Sequence, residues 1–244
     1  MTDATESAPS QHVIAGTVLT MPVRVRKATQ HMAMFSVDAD AAQRMIDYSG
    51  LQVCRYRRRR AVAVLMLMHY VDSDLGEYYE YGTNIMVNPP GSDASGLRAL
   101  QSAGAFIHHL PVDQTFTLEA GRSIWGYPKV MADFVVRDEK NFGFDVTIDG
   151  RFAVGMDFRP GFPVPAPSKP QAPPTYSHLD GVTRETVGVM RPSGVRYRPG
   201  GVTVRLGDHP YALELAALGL PKRAMLSGSA DNVDMTFADA QEIK

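Results

Sequence analysis

Asp149-Gly150 separates two stretches of alternating character, Phe142 to Ile148 and Arg151 to Phe158, and this short linker constrains the chain more than any other feature. Asp-Gly takes the positive φ angles of a two-residue turn whose twist matches that of paired strands, so the flanking stretches return on one another as a hairpin. Met131 to Arg137 precedes them across the polar turn Asp138-Glu139-Lys140-Asn141, which predicts consecutive antiparallel strands. Upstream, Ala61 to His69 is an apolar run rich in Val, Leu and Met, short for a buried helix, and reads as a central strand. Further strands are expected at Val195 to Tyr197, Val202 to Leu206 and Asn232 to Phe237. Helical signals are fewer. Asp38 caps a stretch running to Tyr48 with Ala41, Ala42, Met45 and Ile46 at helical spacing and Gly50 as a stop. Pro89-Pro90-Gly91 precedes a second helix expected at about Ser92 to Ser102, and a brief third is expected near Tyr211 to Leu218. Most of the rest reads as strand, so the expected class is mainly β (α+β) with peripheral helices.

With 25 Lys+Arg against 26 Asp+Glu the formal charge is −1, which leaves no global field to draw the chain to nucleic acid or anionic lipid. Hydrophobic residues at 44% against 21% charged place it among globular proteins rather than disordered ones. The longest apolar stretch, Ala61 to Met68, is far short of the roughly 20 residues of a membrane-spanning helix. Cys54 stands alone, which excludes an internal disulfide and any multi-cysteine zinc site. Residues 1–12 are small, polar and aperiodic and read as a frayed, disordered terminus; Met1 to Gln11 lacks the basic and apolar segments of a secretory signal, so a cytoplasmic protein is expected. Between Pro160 and Pro174 the density of prolines dictates extended backbone. It could link two domains, but the strands on either side are too short to build separate cores, and residues 13–244 are read as one domain.

Arg55, Arg57, Arg58, Arg59 and Arg60 form the densest charge cluster. Such a cluster can bind phosphates, but this one leads directly into an apolar strand and reads as edge protection or ion pairing. His108-His109 occupy adjacent strand positions, whose side chains point to opposite faces, so the pair is not expected to share a metal ion. Nor does the sequence contain a Walker A loop, a GxGxxG turn or a GxSxG elbow. The remaining segment of chemical interest is Gly121-Arg122-Ser123-Ile124-Trp125-Gly126-Tyr127-Pro128-Lys129-Val130, which holds the chain's single Trp and sets Lys129 among apolar neighbours. A lysine there is poorly solvated as an ammonium, which favours the neutral, nucleophilic amine over the ordinary surface role in which lysines reach to water.

Gly121, Arg122, Gly126, Tyr127, Pro128 and Lys129 resemble, in order and spacing, the motif of the acetoacetate decarboxylase superfamily that carries a Schiff-base lysine. A second stretch, Leu75-Gly76-Glu77-Tyr78-Tyr79-Glu80-Tyr81-Gly82, is similar to the family segment with an active-site glutamate, which falls on Glu80. A weaker likeness runs from about Met32 to Ile243. The resemblance implies an antiparallel β-barrel or cone, a homo-oligomer of such barrels, a small keto acid as substrate, and neither cofactor nor metal. It implies Lys129 and Glu80 as catalytic residues, with Arg122, Trp125, Tyr127 and Leu65 as positions that face substrate.

The family pattern is incomplete here. Its second lysine, which helps free the nucleophile, is Val130; its second acidic residue falls on Leu65; the Glu of Gly-Arg-Glu is Ser123; and its N-terminal arginine aligns around Lys27-Ala28. Burial, helped by Arg122, is therefore expected to activate Lys129, and a lysine restored at position 130 is expected to move the pH profile towards acid by at least about one unit. The same imine chemistry serves decarboxylation of an acetoacetate-type β-keto acid and, in other superfamily members, aldolase-dehydratase condensation of pyruvate with an aldehyde. A catalytically silent small-molecule-binding barrel is the non-enzymatic alternative, and a nucleic-acid-binding protein using Arg55 to Arg60 is a more distant one.

Overall fold

Seven strands hydrogen-bond in a closed ring in the computed structural model, which describes residues 9–138 and 140–243. Around the ring they run Val23–Asp38, Asn232–Phe237, Val182–Ser193, Pro174–Leu179, Gly104–Val112, Tyr78–Val87 and Arg60–Ser73, and the last pairs back to the first. Every pairing in the ring is antiparallel except that of Pro174–Leu179 with Gly104–Val112. A separate four-stranded antiparallel sheet contains Asp133–Asp138, Phe142–Ile148, Arg151–Phe158 and Val202–Leu206. Asp149 and Gly150 join two of its strands at φ 51° and 71°, the turn expected from their sequence. Glu139, in the other expected turn, lies outside the described residues.

The alternation of side chains divides the apolar residues into two clusters. Val23, Val25, Ala28, Met68, Tyr70, Tyr78, Ile107, Leu110, Val112, Val233 and Met235 come from five of the seven ring strands and meet across its interior, with the helix Thr115–Trp125 packed among them. Phe35, Ala63, Leu65, Leu67, Tyr81, Ile85 and Phe106 point the other way, against Phe144, Val146, Met156 and Phe158 of the four-stranded sheet. The helices Ala39–Ile46 and Pro210–Ala217 close over this outer cluster. Phe158 and Tyr176, on either side of the proline-rich segment, belong to the same cluster, so that segment connects parts of one core.

The Asp38 carboxylate caps Ala39–Ile46 as expected, and Gly50 ends the following turn at φ 73°. Elsewhere the structure departs from the sequence reading. Ser92 to Ser102 forms only a short 3-10 turn at Leu97–Gln101, because Ser95 bridges to Arg55 and the Gly96 amide donates to the Arg55 carbonyl, which commits this backbone to a neighbouring segment. Thr115–Trp125, where the sequence reading places no helix, is a helix. Residues 1–8 of the expected frayed terminus lie outside the described residues, but Gln11 and His12 belong to a hairpin, Gln11–Ile14 with Thr17–Thr20, turned by Ala15-Gly16.

The histidine pair also departs from expectation. Thr83 pairs with His109 and the next residue, Asn84, with Ile107, so His108 is the extra residue of a β-bulge. The bulge cancels the alternation: Ile107 and Leu110 both face the interior, while His108 and His109 both reach the Glu214 carboxylate beneath the Pro210–Ala217 helix. Adjacent strand residues here share one face.

Candidate active site

Helix Thr115–Trp125 and the strand after it place the lysine. Gln114 caps the helix by accepting from the Thr117 amide, and Gly126 ends it in the left-handed region at φ 61°, where its amide reaches the Arg122 and Gly121 carbonyls. Pro128 cannot continue the helix, and the chain re-enters extended structure at Lys129–Met131, paired in parallel with Leu110 to Val112. The Lys129 side chain then runs back beneath the helix it has just left. A Cβ on Gly121 would lie 2.6 Å from both Lys129 Cδ and Cε, so only glycine leaves room for the lysine stem.

Lys129 Nζ lies 2.8 Å from Glu80 Oε2 and donates at 2.8 Å to Thr117 Oγ1. Lys129 is 2% exposed, and Thr117 is fully buried. Glu80 projects inward from Tyr78–Val87 and accepts a 3.0 Å hydrogen bond from the Tyr70 hydroxyl at its other oxygen. The Tyr78 ring lies under the ammonium, 5.1 Å from Nζ to the centroid, and stacks on Tyr70. Burial, followed by the negative charge of Glu80, holds the Tyr70 and Tyr78 phenols well above their ordinary range, so both remain protonated donors. Among the described residues, Lys129 is the sole cation within ion-pair distance of Glu80.

The other sequence candidates occupy different places. Tyr127 is buried in the interior cluster and stacks on Trp125 at 5.7 Å between centroids. The Trp125 indole nitrogen is committed to the Ala238 carbonyl at 2.8 Å. Arg122 lies on the exposed side of the helix and donates to the Lys129 main-chain carbonyl at 3.1 Å, holding the strand that carries the lysine rather than its amine. Leu65 is fully buried in the outer cluster, on the face opposite Glu80, while Met66 and Met68 face the interior. Val130 likewise packs against the outer cluster. Of the aligned pair Lys27-Ala28, Lys27 is exposed and Ala28 is buried in the interior cluster. Thr117, Tyr70 and Tyr78 were not singled out in the sequence. Tyr78 sits two positions before Glu80 on the same strand face, a signal that strand periodicity could have supplied.

This arrangement can hold a carbonyl carbon at a buried amine, with a carboxylate positioned to take or return a proton. Burying two charges is tolerable because each has a partner and further hydrogen bonds.

Comparison with solved structures gives the same fold. An acetoacetate decarboxylase from Legionella pneumophila subsp. pneumophila str. Philadelphia 1 superposes with a TM-score of 0.65 at 17% identity, covering 91% of this chain and 87% of that one. The enduracididine biosynthesis enzyme MppR complexed with pyruvate superposes with a TM-score of 0.67 at 15% identity, covering 98% and 99%. The same enzyme with the condensation product of pyruvate and imidazole 4-carboxaldehyde gives 0.64 at 16% identity, covering 98% of each chain. A search of curated protein sequences finds no match. The family model described as acetoacetate decarboxylase (ADC) matches residues 7–241, and with the closed ring and the buried Lys129–Glu80 pair at its centre, the chain belongs to the acetoacetate decarboxylase family.

Proposed function

We propose that this protein is a lyase that binds a small keto acid as an imine on Lys129 and releases carbon dioxide from it. The observation that carries this reading is the buried contact of Lys129 Nζ with Glu80 and Thr117, both at 2.8 Å. Transfer of one ammonium proton to Glu80 leaves a neutral amine whose lone pair attacks the substrate ketone. Loss of water from the carbinolamine gives an iminium ion. The bond to the carboxylate then breaks, its electron pair passing into the iminium as carbon dioxide departs and an enamine forms. The proton first passed to Glu80 leaves with the carbinolamine hydroxyl as water, so Glu80 takes up a fresh proton from solvent and delivers it to the enamine carbon, and hydrolysis returns the ketone product and Lys129.

Thr117 and the Tyr78 face hold Nζ in place, while Tyr70 fixes the Glu80 carboxylate. Decarboxylation disperses the negative charge of the substrate carboxylate, so it is favoured where no cation besides the reacting lysine stabilises that charge. The tyrosine-lined surroundings of the Lys129–Glu80 pair fit this requirement. A second reading, condensation of pyruvate with an aldehyde, is favoured by the near-complete coverage in the alignment with MppR, which is described in complex with pyruvate and with such a condensation product. It would require a cation to hold the pyruvate carboxylate that is retained.

Sodium borohydride added with acetoacetate, followed by intact-mass and peptide analysis, tests the imine. The expected result is one adduct on the peptide containing Lys129, with carbon dioxide released from unreduced samples. An adduct elsewhere would remove Lys129 from the mechanism. Faster consumption of pyruvate plus aldehyde than release of carbon dioxide would replace decarboxylation with condensation.

A further inference from the structure

The bulge in Gly104–Val112 brings two imidazoles to one carboxylate on the outer face of the ring. His108 Nε2 lies 2.8 Å and His109 Nε2 2.5 Å from the same oxygen, Glu214 Oε2. The three donor atoms all lie within 4.8 Å of one another. Both histidines are buried, at 6% and 9% exposure, whereas the Glu214 side chain is 42% exposed on the helix Pro210–Ala217. We propose that His108, His109 and Glu214 form a binding site for one divalent transition ion of the zinc type, separate from the lysine site and on the opposite face of the strand that borders it.

Three features support a built site. The donors are two imidazole nitrogens and one carboxylate oxygen, the borderline set that zinc accepts with an open position for water. The Tyr48 hydroxyl lies 2.8 Å from His108 Nδ1, the orienting contact that ligating histidines commonly have, and leaves Nε2 for the ion. His109 is clamped against the Tyr211 ring, with centroids 3.4 Å apart and planes 10° from parallel, which fixes its direction towards Glu214.

Zinc bonds of about 2.0–2.2 Å in a tetrahedron put neighbouring donors roughly 3.3 Å apart. The present spacing between each imidazole and Glu214 is that of hydrogen bonds, so Glu214 must retreat by less than about 1 Å to admit an ion of this size. Its exposure and its position beside a surface cleft lined also by Ala41, Arg44, Met45 and Leu218 allow that movement and give the ion a way in. A bound ion would clasp the Pro210–Ala217 helix to the Gly104–Val112 strand and raise the melting temperature by binding the folded state.

The test uses the untagged full chain, freed of metal with a chelator and dialysed, then titrated with zinc sulfate by calorimetry and with cobalt chloride by visible absorption. One equivalent of zinc should bind, cobalt should show the intense ligand-field bands of a low-coordinate site, and the melting temperature should rise with zinc. Glu214→Gln, at an exposed position, should keep the fold and weaken zinc binding at least tenfold, and His109→Ala should do the same. Zinc binding that is equally tight in wild type and Glu214→Gln would overturn the proposal, as would no stoichiometric binding by wild type. Either result would leave Glu214 as a hydrogen-bonding anchor for two buried histidines.

Discussion

The two faces of the strand Gly104–Val112 carry two groups of ionisable residues under opposite conditions. Inside the ring, next to Leu110, Lys129 meets Glu80 with the carboxylate side chain only 9% exposed; outside it, Glu214 gathers His108 and His109 while remaining 42% exposed. In the interior, water is excluded and each charge depends on the few groups that touch it, so a proton leaving Lys129 has Glu80 as its nearest acceptor. On the outer face, solvent reaches the carboxylate, and its bonds to the imidazoles are open to exchange. Position relative to solvent separates a site suited to moving a proton from one suited to admitting an ion, although both lie against a single strand.

The largest effect expected is from the interior cation itself. Lys129→Ala should abolish borohydride trapping. Because it leaves Glu80 without its cation, it should also cost about 3–5 kcal/mol of stability, as breaking a buried pair does. The double variant Lys129→Met with Glu80→Gln removes both charges and should recover much of that stability while still failing to trap. Trapping that survives in the double variant would show that the imine forms on another lysine.

The outer face can be tested through its contact with the four-stranded sheet, where His31 stacks on Phe142 at 3.5 Å between ring centroids. Burial holds His31 down to about 4 from an ordinary value of 6.5. Between those values the unfolded chain binds a proton that the folded chain does not, so stability is highest above pH 6.5 and falls as the pH drops towards 4. The loss attributable to this ring is about 3 kcal/mol. Denaturant unfolding at pH 7 and pH 4 should show that the His31→Phe variant loses correspondingly less than wild type. An equal loss would mean that the outer face is wetter than its packing indicates.

Glu80→Gln keeps the shape of the interior site but removes its proton carrier, so turnover should drop by about 10² or more while trapping at Lys129 persists. Unchanged turnover would move Glu80 from proton transfer to support of the lysine.

Much of the fold is legible in local sequence. The hairpin at Asp149-Gly150, the Asp38 cap and the strand through Ala61 to His69 rest on turn chemistry and periodicity, which act within a few residues. The site motif is legible too, since Gly121, Gly126 and Pro128 are set by a close approach, a left-handed cap and a helix stop. The helix Thr115–Trp125 is not legible in the sequence, although Thr117, Ala120, Gly121, Ile124 and Trp125 are buried at helical spacing. Its glycine and β-branched residues weaken its intrinsic propensity, and packing inside the ring overrides that. The shared face of the histidine pair is not legible, because a bulge is a property of two strands in register and alternation along one strand carries no trace of it. The family resemblance alone places Leu65 at the site, and its parity on Arg60–Ser73, opposite to that of Met66 and Met68, puts it on the outer face.

The smallest effect expected concerns Val130. The sequence comparison made a lysine at this position a strong lever on Lys129, but consecutive residues of the strand Lys129–Met131 point to opposite faces, and Val130 packs against the outer cluster. In Val130→Lys the new ammonium would extend away from the interior, where the half-buried position lets it reach water. Two charges about 10 Å apart interact by roughly 1.7 kcal/mol at an effective dielectric of about 20, and screening over one Debye length cuts this to about 0.6 kcal/mol, or about 0.5 of a pH unit. The pH profile of borohydride-trapped imine in Val130→Lys should therefore lie within about 0.5 unit of wild type. A shift towards acid of one unit or more would show that the field crosses the sheet, and the division between the two faces would then hold for packing but not for electrostatics.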